Sequence, residues 1–423
     1  MSIEVSTDDL NEQQKKKLTT LVIKIEAKFA YIPVRYFYPS NKDGKKLTIP
    51  FAFAVTELLL KRPARKSFPE SLPVSFEGRL RDEQIIVRSE AIDVLNKTGS
   101  VILSMFCGFG KTITAINMAC ALKFKCLIVV NKIVLLQQWE SAISEFCPSA
   151  QIQVLTPNYL KKGLQKIQSV NFILVNALNI GKIDNSFFDD VGTVIVDEAH
   201  LIVAEKLSNS LLSLKPRYLI ALTATPYRPD GLDKLLLFYF GKNKIIRELH
   251  REHIVYKIDT GFKPTIEMTA NNMINWSLVL ESQSNDAARN QLIVSIIQRF
   301  EDRQFLVLVK RVQQGFVLEQ ALQNVGESVT TLLGSNQQYD LNARILIGTV
   351  SKVGVGFDRK QTDALLLAGD VEEYFIQYLG RCMRTVDTIP LIFDLVDDLP
   401  LLKKHFATRK KIYISHGGRI LQL

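Results

Sequence analysis

Residues 105–112 of the chain read Met-Phe-Cys-Gly-Phe-Gly-Lys-Thr. The apolar run Val101–Phe106 leads into this stretch, and Ile113–Leu122 continues from it with helical spacing and no helix breaker. A strand, a glycine-bearing loop and a helix in this order are the context in which the ending Gly-Lys-Thr binds phosphate. Backbone N–H groups of such a loop and the positive end of the helix hold phosphate oxygens. The stretch therefore predicts a nucleotide site.

Each position of the predicted loop has an expected role. Lys111 is expected to reach the β- and γ-phosphates of ATP, and the Thr112 hydroxyl is expected to bind Mg²⁺. Cys107 is either an oxidation-sensitive thiol or simply a small residue in the loop. The phosphate cradle is expected to consist of Cys107, Gly108, Phe109 and Gly110.

Composition sets limits on the class of protein. The 423 residues suffice for two or three domains, and 47% hydrophobic residues are typical of a globular chain. There are 53 basic and 43 acidic residues, which gives a net charge of +10 and a pI near 9.2. This excess of positive charge favours a polyanionic partner such as nucleic acid.

The cysteines and the apolar runs indicate the cellular compartment in which the protein is expected. Five cysteines include no CxxC pair and no metal-like cluster with the five histidines. An odd count indicates free thiols in a reducing compartment. Met1–Gln14 does not resemble a signal peptide, and no uncharged apolar run approaches the roughly 18 residues that a membrane span needs. We expect an intracellular protein that is neither secreted nor membrane-bound.

Residues 1–76 are expected to form a small separate module. Ile23–Phe29 alternates apolar with charged residues, as a half-buried strand does. Asn41–Gly44 is a turn signal between two further strand-like pieces, Val34–Tyr38 and Leu47–Phe53. Because lysines, arginines and aromatic residues are interleaved here, the module is either a nucleic-acid-gripping accessory domain or a small α+β domain with a solvated basic face.

A glutamine precedes the loop at the start of a predicted helix. The segment Phe76–Gln84 reads FEGRLRDEQ. The Gln84 amide can offer both a donor and an acceptor to the edge of adenine. A surface glutamine at a helix start is the alternative.

From Val101 to about Gly241 apolar strands alternate with helical stretches. Buried apolar runs alternating with helices indicate a parallel sheet covered on both faces, which is an α/β fold. The predicted strands are 101–106, 125–130, 152–155, 172–175, 193–196 and 218–222.

Two polar motifs directly follow strands of this pattern. The run Thr193–Val196 delivers Asp197 and Glu198, the start of Asp-Glu-Ala-His, at the edge where ligands bind in open α/β sheets. Asp197 fits a Mg²⁺ ligand, and Glu198 fits a base that orients an attacking water. A plain helix N-cap is the alternative for two acids at this place. Thr223 and Thr225, in Thr-Ala-Thr-Pro, can couple the acid pair to a neighbouring domain.

In order and spacing, the motifs GFGKT, DEAH and TATP resemble those of the superfamily 2 helicases and translocases. Residues 127–139 (LIVVNKIVLLQQW) and 223–231 (TATPYRPDG) are most similar to the branch containing the XPB, UvsW and large-DNA-virus transcript-release helicases. Gly348–Asp358 is similar to motif five of the family, and residues 377–384 (QYLGRCMR) match its motif six, QxxGRxxR, in full. Met105 and Val355 depart from the usual residue types. The resemblance covers about residues 77–415.

The resemblance implies a fold of two tandem RecA-like parallel-sheet domains plus the small N-terminal α+β module. Domain 1 would span residues 77–243, an irregular or extended linker residues 244–285, and domain 2 residues 286–423. It further implies that domain 2 contributes to hydrolysis and to ATP binding. The implied catalytic residues of domain 2 are Gln377, Arg381 and Arg384, and the implied ATP-binding residues are Gly356 and Asp358.

The family positions also imply contacts to a nucleic-acid strand. Such contacts are expected to be mostly to phosphates, so that binding depends on salt and not on sequence. The candidates are Asn131, Lys132, Asn176, Lys310, Arg311, Gly334, Ser335 and Thr349.

The favoured hypothesis is a monomeric helicase that uses ATP and Mg²⁺ to step along single-stranded or forked duplex DNA. It would act in the nucleus, the cytoplasm or a viral replication site. An RNA helicase and a duplex-DNA translocase without unwinding remain alternatives. A nucleotide-gated binding module without turnover is a further alternative, disfavoured by the intact Lys111, Glu198 and Arg384. A ring ATPase with a neighbour's arginine is disfavoured by the two consecutive α/β halves.

Overall fold

The computed structural model divides the chain into two compact units, residues 1–105 with 109–247 and residues 106–108 with 248–423. Each unit is described by itself. Among the described residues, no helix combines the length and apolar character that crossing a bilayer requires. The structure describes residues 1–27, 30–35, 37–39, 45–70, 73–106, 108–158, 167, 169–202, 211–224, 233–336, 338–353, 359, 361–371, 375–383 and 388–423.

The N-terminal part of the first unit is built from short antiparallel strands. Strands β1, β5 and β4 form one sheet in the order β1-β5-β4, and β2 pairs with β3 as a hairpin. A capping box formed by Asn11 and Gln14 starts the helix α1. The elements are β1 (Ser2–Ser6), α1 (Glu12–Leu18), β2 (Val22–Ala27), β3 (Ala30–Arg35), β4 (Tyr38–Pro39) and β5 (Lys46–Pro50).

The N-terminal part shares its core with the rest of the first unit. The Ser2 N–H donates to the Leu214 carbonyl at 2.8 Å, and the Ser2 hydroxyl donates to the Leu212 carbonyl at 2.6 Å. Phe51 and Leu58 lie in the same hydrophobic cluster as the strand and helix residues that follow. One continuous hydrophobic core therefore joins the antiparallel strands to the rest of the first unit, and the domain bounds 1–76 and 77–243 stay predictions.

The first unit contains a seven-stranded parallel sheet in the order β12-β6-β11-β10-β7-β9-β8. Most of its strands are buried at every position, as a parallel sheet with both faces covered requires. Its strands are β6 (Ser100–Met105), β7 (Cys126–Val130), β8 (Ile152–Leu155), β9 (Phe172–Asn176), β10 (Thr193–Val196), β11 (Tyr218–Thr223) and β12 (Lys244–Arg247). The helices beside it are α2 (Asp82–Thr98), α3 (Lys111–Leu122), α4 (Ile133–Phe146), α5 (Ala177–Ile180), α6 (Ala199–Ile202) and α7 (Asp233–Phe240).

The second unit repeats the architecture with another seven-stranded parallel sheet, in the order β15-β16-β14-β17-β18-β13-β19. Its strands are β13 (His253–Asp259), β14 (Phe305–Val309), β15 (Val329–Leu332), β16 (Ile345–Thr349), β17 (Ala364–Leu367), β18 (Leu391–Val396) and β19 (Gly418–Gln422). Its helices are α8 (Trp276–Asn285), α9 (Ala287–Arg299), α10 (Val312–Asn324), α11 (Val350–Val353), α12 (Phe375–Cys382) and α13 (Pro400–Ser415). The predicted fold of two parallel-sheet domains with a small N-terminal antiparallel part is thereby confirmed.

The expected linker, residues 244–285, contains two strands and a helix, with irregular segments between them. Strand β12 pairs with β6 in the first sheet, and β13 pairs with both β18 and β19 in the second. The boundary between the units falls between Arg247 and Glu248. Charged residues at both ends of β12 hide its two central isoleucines from a search for apolar runs.

A buried ionic cluster ties α13 to the second sheet. The Arg409 guanidinium donates to both carboxylate oxygens of Asp394, each at 2.8 Å, and to Asp370 Oδ1 at 2.7 Å. The Tyr413 hydroxyl donates to Asp394 Oδ2 at 2.8 Å. Burial and the neighbouring Asp394 carboxylate raise the pKa of Tyr413 well above its usual value. Asp394 therefore has a charged donor on each oxygen and a neutral donor on Oδ2, and a fully buried carboxylate requires such partners.

Candidate active site

The residues expected to act in the first unit meet at one edge of its sheet. All seven strands run parallel, so their carboxyl ends share that edge. In register, Val196 pairs with Val129 on one side and Ala221 on the other, and Thr223 pairs with Ser104. The loop after β6, Asn131 after β7, Asn176 at the end of β9, Asp197 after β10 and Thr223 at the end of β11 thus follow neighbouring strands.

The loop after β6 has a backbone that only glycine adopts easily. Gly108 and Gly110 have φ angles of +94° and +92°. A Cβ atom added to Gly110 would lie 2.2 Å from Gln84 Nε2. Lys111 opens α3, and its Nζ donates to the Met105 carbonyl at 2.9 Å. The chain therefore wraps closely around the loop and sets its lysine at the helix N-terminus.

Gln84 lies on α2, contacts this loop and is not a surface residue. It is 4% exposed, its Nε2 donates to the Phe109 carbonyl at 2.8 Å, and its Oε1 accepts from the Arg81 N–H at 2.8 Å. The Arg81 guanidinium donates to the same Phe109 carbonyl. Arg81, which the sequence analysis did not assign, therefore helps Gln84 to hold the loop. Adenine recognition by Gln84 stays a prediction.

The two acids after β10 lie in different surroundings. Asp197 is 8% exposed, and its carboxylate accepts from Trp139 Nε1 at 2.9 Å and from the Glu198 N–H at 2.9 Å. Burial and then the charge of Glu198 raise the pKa of Asp197 to about 6, against the opposing effects of Trp139 and Lys111. The carboxylate is thus confined beside a lysine, in a place where a bound cation would favour its charged form.

Glu198 and Thr223 are connected through a histidine. His200 Nδ1 lies 2.8 Å from Thr223 Oγ1 and 3.5 Å from Glu198 Oε2. Both His200 and Thr223 are almost fully buried. The contact gives the coupling role predicted for Thr223 a physical route. The sequence alone assigned no role to His200, or to Trp139, which donates to Asp197. Both are residues of the site.

The remaining candidates for nucleic-acid contacts in the first unit differ in whether their side chains already make hydrogen bonds. Asn176 Oδ1 accepts from the Leu178 N–H at 3.0 Å and so caps α5. The buried Asn131 Oδ1 makes no hydrogen bond to any residue that the structure describes. Lys132 is half-buried at the start of α4.

In the second unit, the candidate strand contacts follow three neighbouring strands. Lys310 and Arg311 come after β14, Gly334 and Ser335 after β15, and Thr349 ends β16. Since β15, β16 and β14 are adjacent and parallel, these residues share one edge. Lys310, Gly334 and Ser335 are exposed and Thr349 is buried. The Arg311 guanidinium donates to the Ser277 carbonyl at 2.9 Å and to its hydroxyl at 2.6 Å.

Gln377 and Arg381 lie on α12, four residues apart and hence on one face. Both are buried, at 4% and 6% exposure, so Arg381 is not a solvated arginine. The Tyr378 hydroxyl donates to the Val350 carbonyl at 2.8 Å and fixes α12 to α11. Five predicted site residues lie outside the described part of the chain, namely Cys107, Thr225, Gly356, Asp358 and Arg384.

Comparison with known proteins defines the family. The sequence profile described as "Type III restriction enzyme, res subunit" matches residues 77–228. The protein named "Putative helicase 161L" of Invertebrate iridescent virus 6 is 46% identical over 395 residues, which cover 88% of each chain. The chain belongs to the viral superfamily 2 helicases.

A second viral relative and a solved structure are also similar to the chain. "Putative helicase 055L" of Frog virus 3 is 32% identical to this helicase over 386 residues, 89% of this chain and 86% of its own. A solved structure of S. cerevisiae Dbp5 bound to RNA and ADP BeF3 is 13% identical, with a TM-score of 0.57 over 80% of this chain and 89% of its own. The latter likeness concerns the fold alone. The predicted family is therefore confirmed, and membership implies use of ATP.

Proposed function

We propose that this helicase hydrolyses ATP with Mg²⁺ and uses the energy to step along DNA and separate its strands. The observation that carries the proposal is the shared edge of the first sheet. There the glycine loop with Lys111 lies near the buried Asp197, whose raised pKa the charge of the lysine partly offsets. A phosphate cradle and a carboxylate within reach of the same charge are the two parts that phosphoryl transfer needs.

The donor set fits a magnesium ion. Hydroxyl and carboxylate oxygens are the ligands that Mg²⁺ prefers, and Thr112 and Asp197 supply one of each. A bound Mg²⁺ neutralises charge that develops on the phosphates. Glu198 orients the attacking water, and the His200–Thr223 contact passes on any change at Glu198. Gln84 reads the adenine, and Gly108, Phe109 and Gly110 enclose the phosphates with Cys107.

The second unit supplies the remaining positive charge. In this proposal Arg381 and Arg384 stabilise the transferring phosphoryl group, with Gln377 beside them and Gly356 and Asp358 at the nucleotide. Because Arg381 is buried on a helix fixed by Tyr378, it is held in place before the reaction. Such preorganisation is what makes an arginine effective on a developing charge.

The nucleic-acid strand runs along the candidate edges of the two sheets. Lys310, Gly334 and Ser335 are exposed at neighbouring strand ends, where backbone N–H groups, a hydroxyl and an ammonium group can bind successive phosphates. Asn131, Lys132, Asn176, Arg311 and Thr349 complete the set. The net charge of +10 supports a polyanionic partner. The N-terminal residues 1–76 add basic side chains to this surface and act as a grip on the nucleic acid.

The test measures ATP turnover with single-stranded DNA, duplex DNA and RNA, followed by unwinding of forked substrates. DNA should stimulate turnover more strongly than RNA, and forked duplexes should be unwound. Lys111→Ala should reduce stimulated turnover at least about a hundredfold. Lys97→Ala, an exposed lysine at the end of α2, is the matched control and should behave as wild type.

Three results would change the assignment. Normal stimulated turnover by Lys111→Ala would remove the loop from the mechanism. Stronger stimulation by RNA than by DNA would favour an RNA helicase. Displacement of a triplex strand without unwinding of a forked duplex would favour a translocase that acts on intact duplex DNA.

A further inference from the structure

Two thiols of the first unit lie in contact with each other. Cys120 Sγ on α3 is 3.6 Å from Cys147 Sγ, directly after α4. Both are free cysteines, and Cys147 is buried whereas Cys120 is half-buried. A disulfide needs its sulfur atoms at about 2.05 Å, so a shift of roughly 1.5 Å would join the pair.

Solvent has a route to Cys120, the half-buried thiol of this pair. Cys120 lines a cavity of about 190 Å³, together with Lys123, Phe124, Glu70 and Asn171. A small oxidant such as hydrogen peroxide fits that volume. The other two cysteines that the structure describes, Cys126 and Cys382, are buried, and burial raises the pKa of each thiol above its usual value.

The pair also differs from these thiols in its electrostatics. The contact between the two thiols lowers the pKa of Cys147, while the same contact and burial raise the pKa of Cys120. Because the thiolate is the reactive form, a contact that favours one thiolate of a neighbouring pair promotes reaction within that pair.

We propose that Cys120 and Cys147 form a reversible oxidation site, at which a peroxide converts the two thiols into a disulfide. One thiol loses its proton, and its thiolate attacks a peroxide oxygen. The O–O bond breaks, the departing hydroxide takes up the released proton, and a sulfenic acid and water result. The sulfur of the second cysteine then attacks the sulfenic sulfur. The S–O bond breaks, the thiol proton leaves with the hydroxide as a second water, and the S–S bond forms. The two thiols are oxidised by two electrons and one hydrogen peroxide is reduced to two waters.

The position of the pair gives the disulfide a structural consequence. It joins α3, which begins at Lys111, to the end of α4, which carries Trp139. Oxidation would therefore tether the two helices that hold the phosphate loop and the partner of Asp197.

The test is peptide mapping of the intact, native protein after a limited dose of hydrogen peroxide. Trypsin releases Cys120 in the peptide 112–123, Cys126 in 126–132 and Cys147 in 133–161. We expect a linked pair of peptides 112–123 and 133–161, lighter by two hydrogens than their sum, which dithiothreitol separates. The Cys126 peptide is the internal control and should be oxidised at least about tenfold more slowly.

Variants provide a second measurement. Cys120→Ser and Cys147→Ser should each abolish the linked peptides without creating another pair. Equal oxidation of the Cys120 and Cys126 peptides in wild type would overturn the proposal. Linked peptides that form only after the protein has been unfolded would overturn it as well. Neither readout depends on helicase activity, so its failure is distinguishable from failure of the proposed function.

Discussion

The contact between Trp139 and Asp197 offers the sharpest test of the proposed magnesium site. Replacing Trp139 with phenylalanine keeps an aromatic ring on α4 but removes the N–H group that donates to Asp197 Oδ2 at 2.9 Å. Trp139 is 1% exposed, so water cannot easily take the place of that donor. The carboxylate would keep the hydrogen bond that the Glu198 N–H donates to its other oxygen, Oδ1.

The size of the effect follows from the kind of hydrogen bond. A bond to a charged group contributes about 1.5–3 kcal/mol, and about 1.4 kcal/mol corresponds to a tenfold change in an equilibrium constant. Losing the bond should therefore lower the population of charged Asp197, relative to protonated Asp197, by roughly 10–100-fold. Partners behind a metal ligand typically change metal affinity by the same factor. We expect the Trp139→Phe variant to need about 10–100-fold more Mg²⁺ than wild type to bind nucleotide equally well.

The assay compares binding of a fluorescent ATP analogue across a series of Mg²⁺ concentrations, so that no turnover is required. The chain contains two tryptophans, and Trp276→Phe is the matched control because Trp276 stacks on His405 in the second unit. Trp276→Phe should leave the Mg²⁺ requirement unchanged. A Trp139→Phe variant that is folded and has the wild-type Mg²⁺ requirement within twofold would refute the role assigned to the contact.

Three further predictions concern the loop, the second core and pH. Gly110→Ala should abolish nucleotide binding because its Cβ would collide with Gln84, whereas Gly326→Ala, with a similar φ of +85° and open space, should bind normally; equal binding would contradict the close fit. Asp394→Asn should lower the free energy of unfolding of the second unit by about 3–5 kcal/mol in urea titration, because it breaks a buried ion pair. Asp398→Asn, at an exposed ion pair, should not change it measurably. Equal losses would contradict the stabilising role of the buried cluster. The raised pKa of Asp197 means that its protonated form is favoured on folding, so that its contribution to stability is present below about pH 4 and is lost by about pH 6. Asp197→Asn should accordingly gain up to about 3 kcal/mol over wild type as pH rises through this range, and a constant difference in urea unfolding would disprove it.

The central strands of both sheets could be predicted because they are buried on both faces. The predicted strand 193–196 agrees with the structure at both ends, and the predicted strands 125–130, 172–175 and 218–222 agree within one residue. A residue that never meets water has to be apolar, so such strands appear as uninterrupted apolar runs. Strands β12 and β19 lie at sheet edges, where polar residues are tolerated and the run is broken.

Residues of the site that belong to short sequence motifs could be predicted, whereas their partners from distant parts of the sequence could not. Lys111, Asp197 and Glu198 belong to short motifs, and each motif lies directly after an apolar strand. Trp139 acts on Asp197 across 58 positions of sequence, and no local spacing marks that partnership. Only the pairing of β10 with β7, which places α4 beside the acid, reveals it. The same reasoning applies to Arg81, whose side chain reaches back from the loop before α2 to the Phe109 carbonyl.

The backbone at Glu198 bears on the choice between the two interpretations of the acid pair, a functional site or a plain helix N-cap. A plain helix N-cap has an extended backbone with a negative φ angle. Glu198, directly before α6, has a φ of +47°, a conformation that costs a non-glycine residue about 1–2 kcal/mol. Its N–H donates to Asp197 Oδ1 and its carbonyl accepts from the Leu201 N–H at 2.8 Å, so the surrounding bonds hold this turn in place. Strain that is retained at a strand end beside a buried carboxylate is typical of functional sites, and a capping role would not need it.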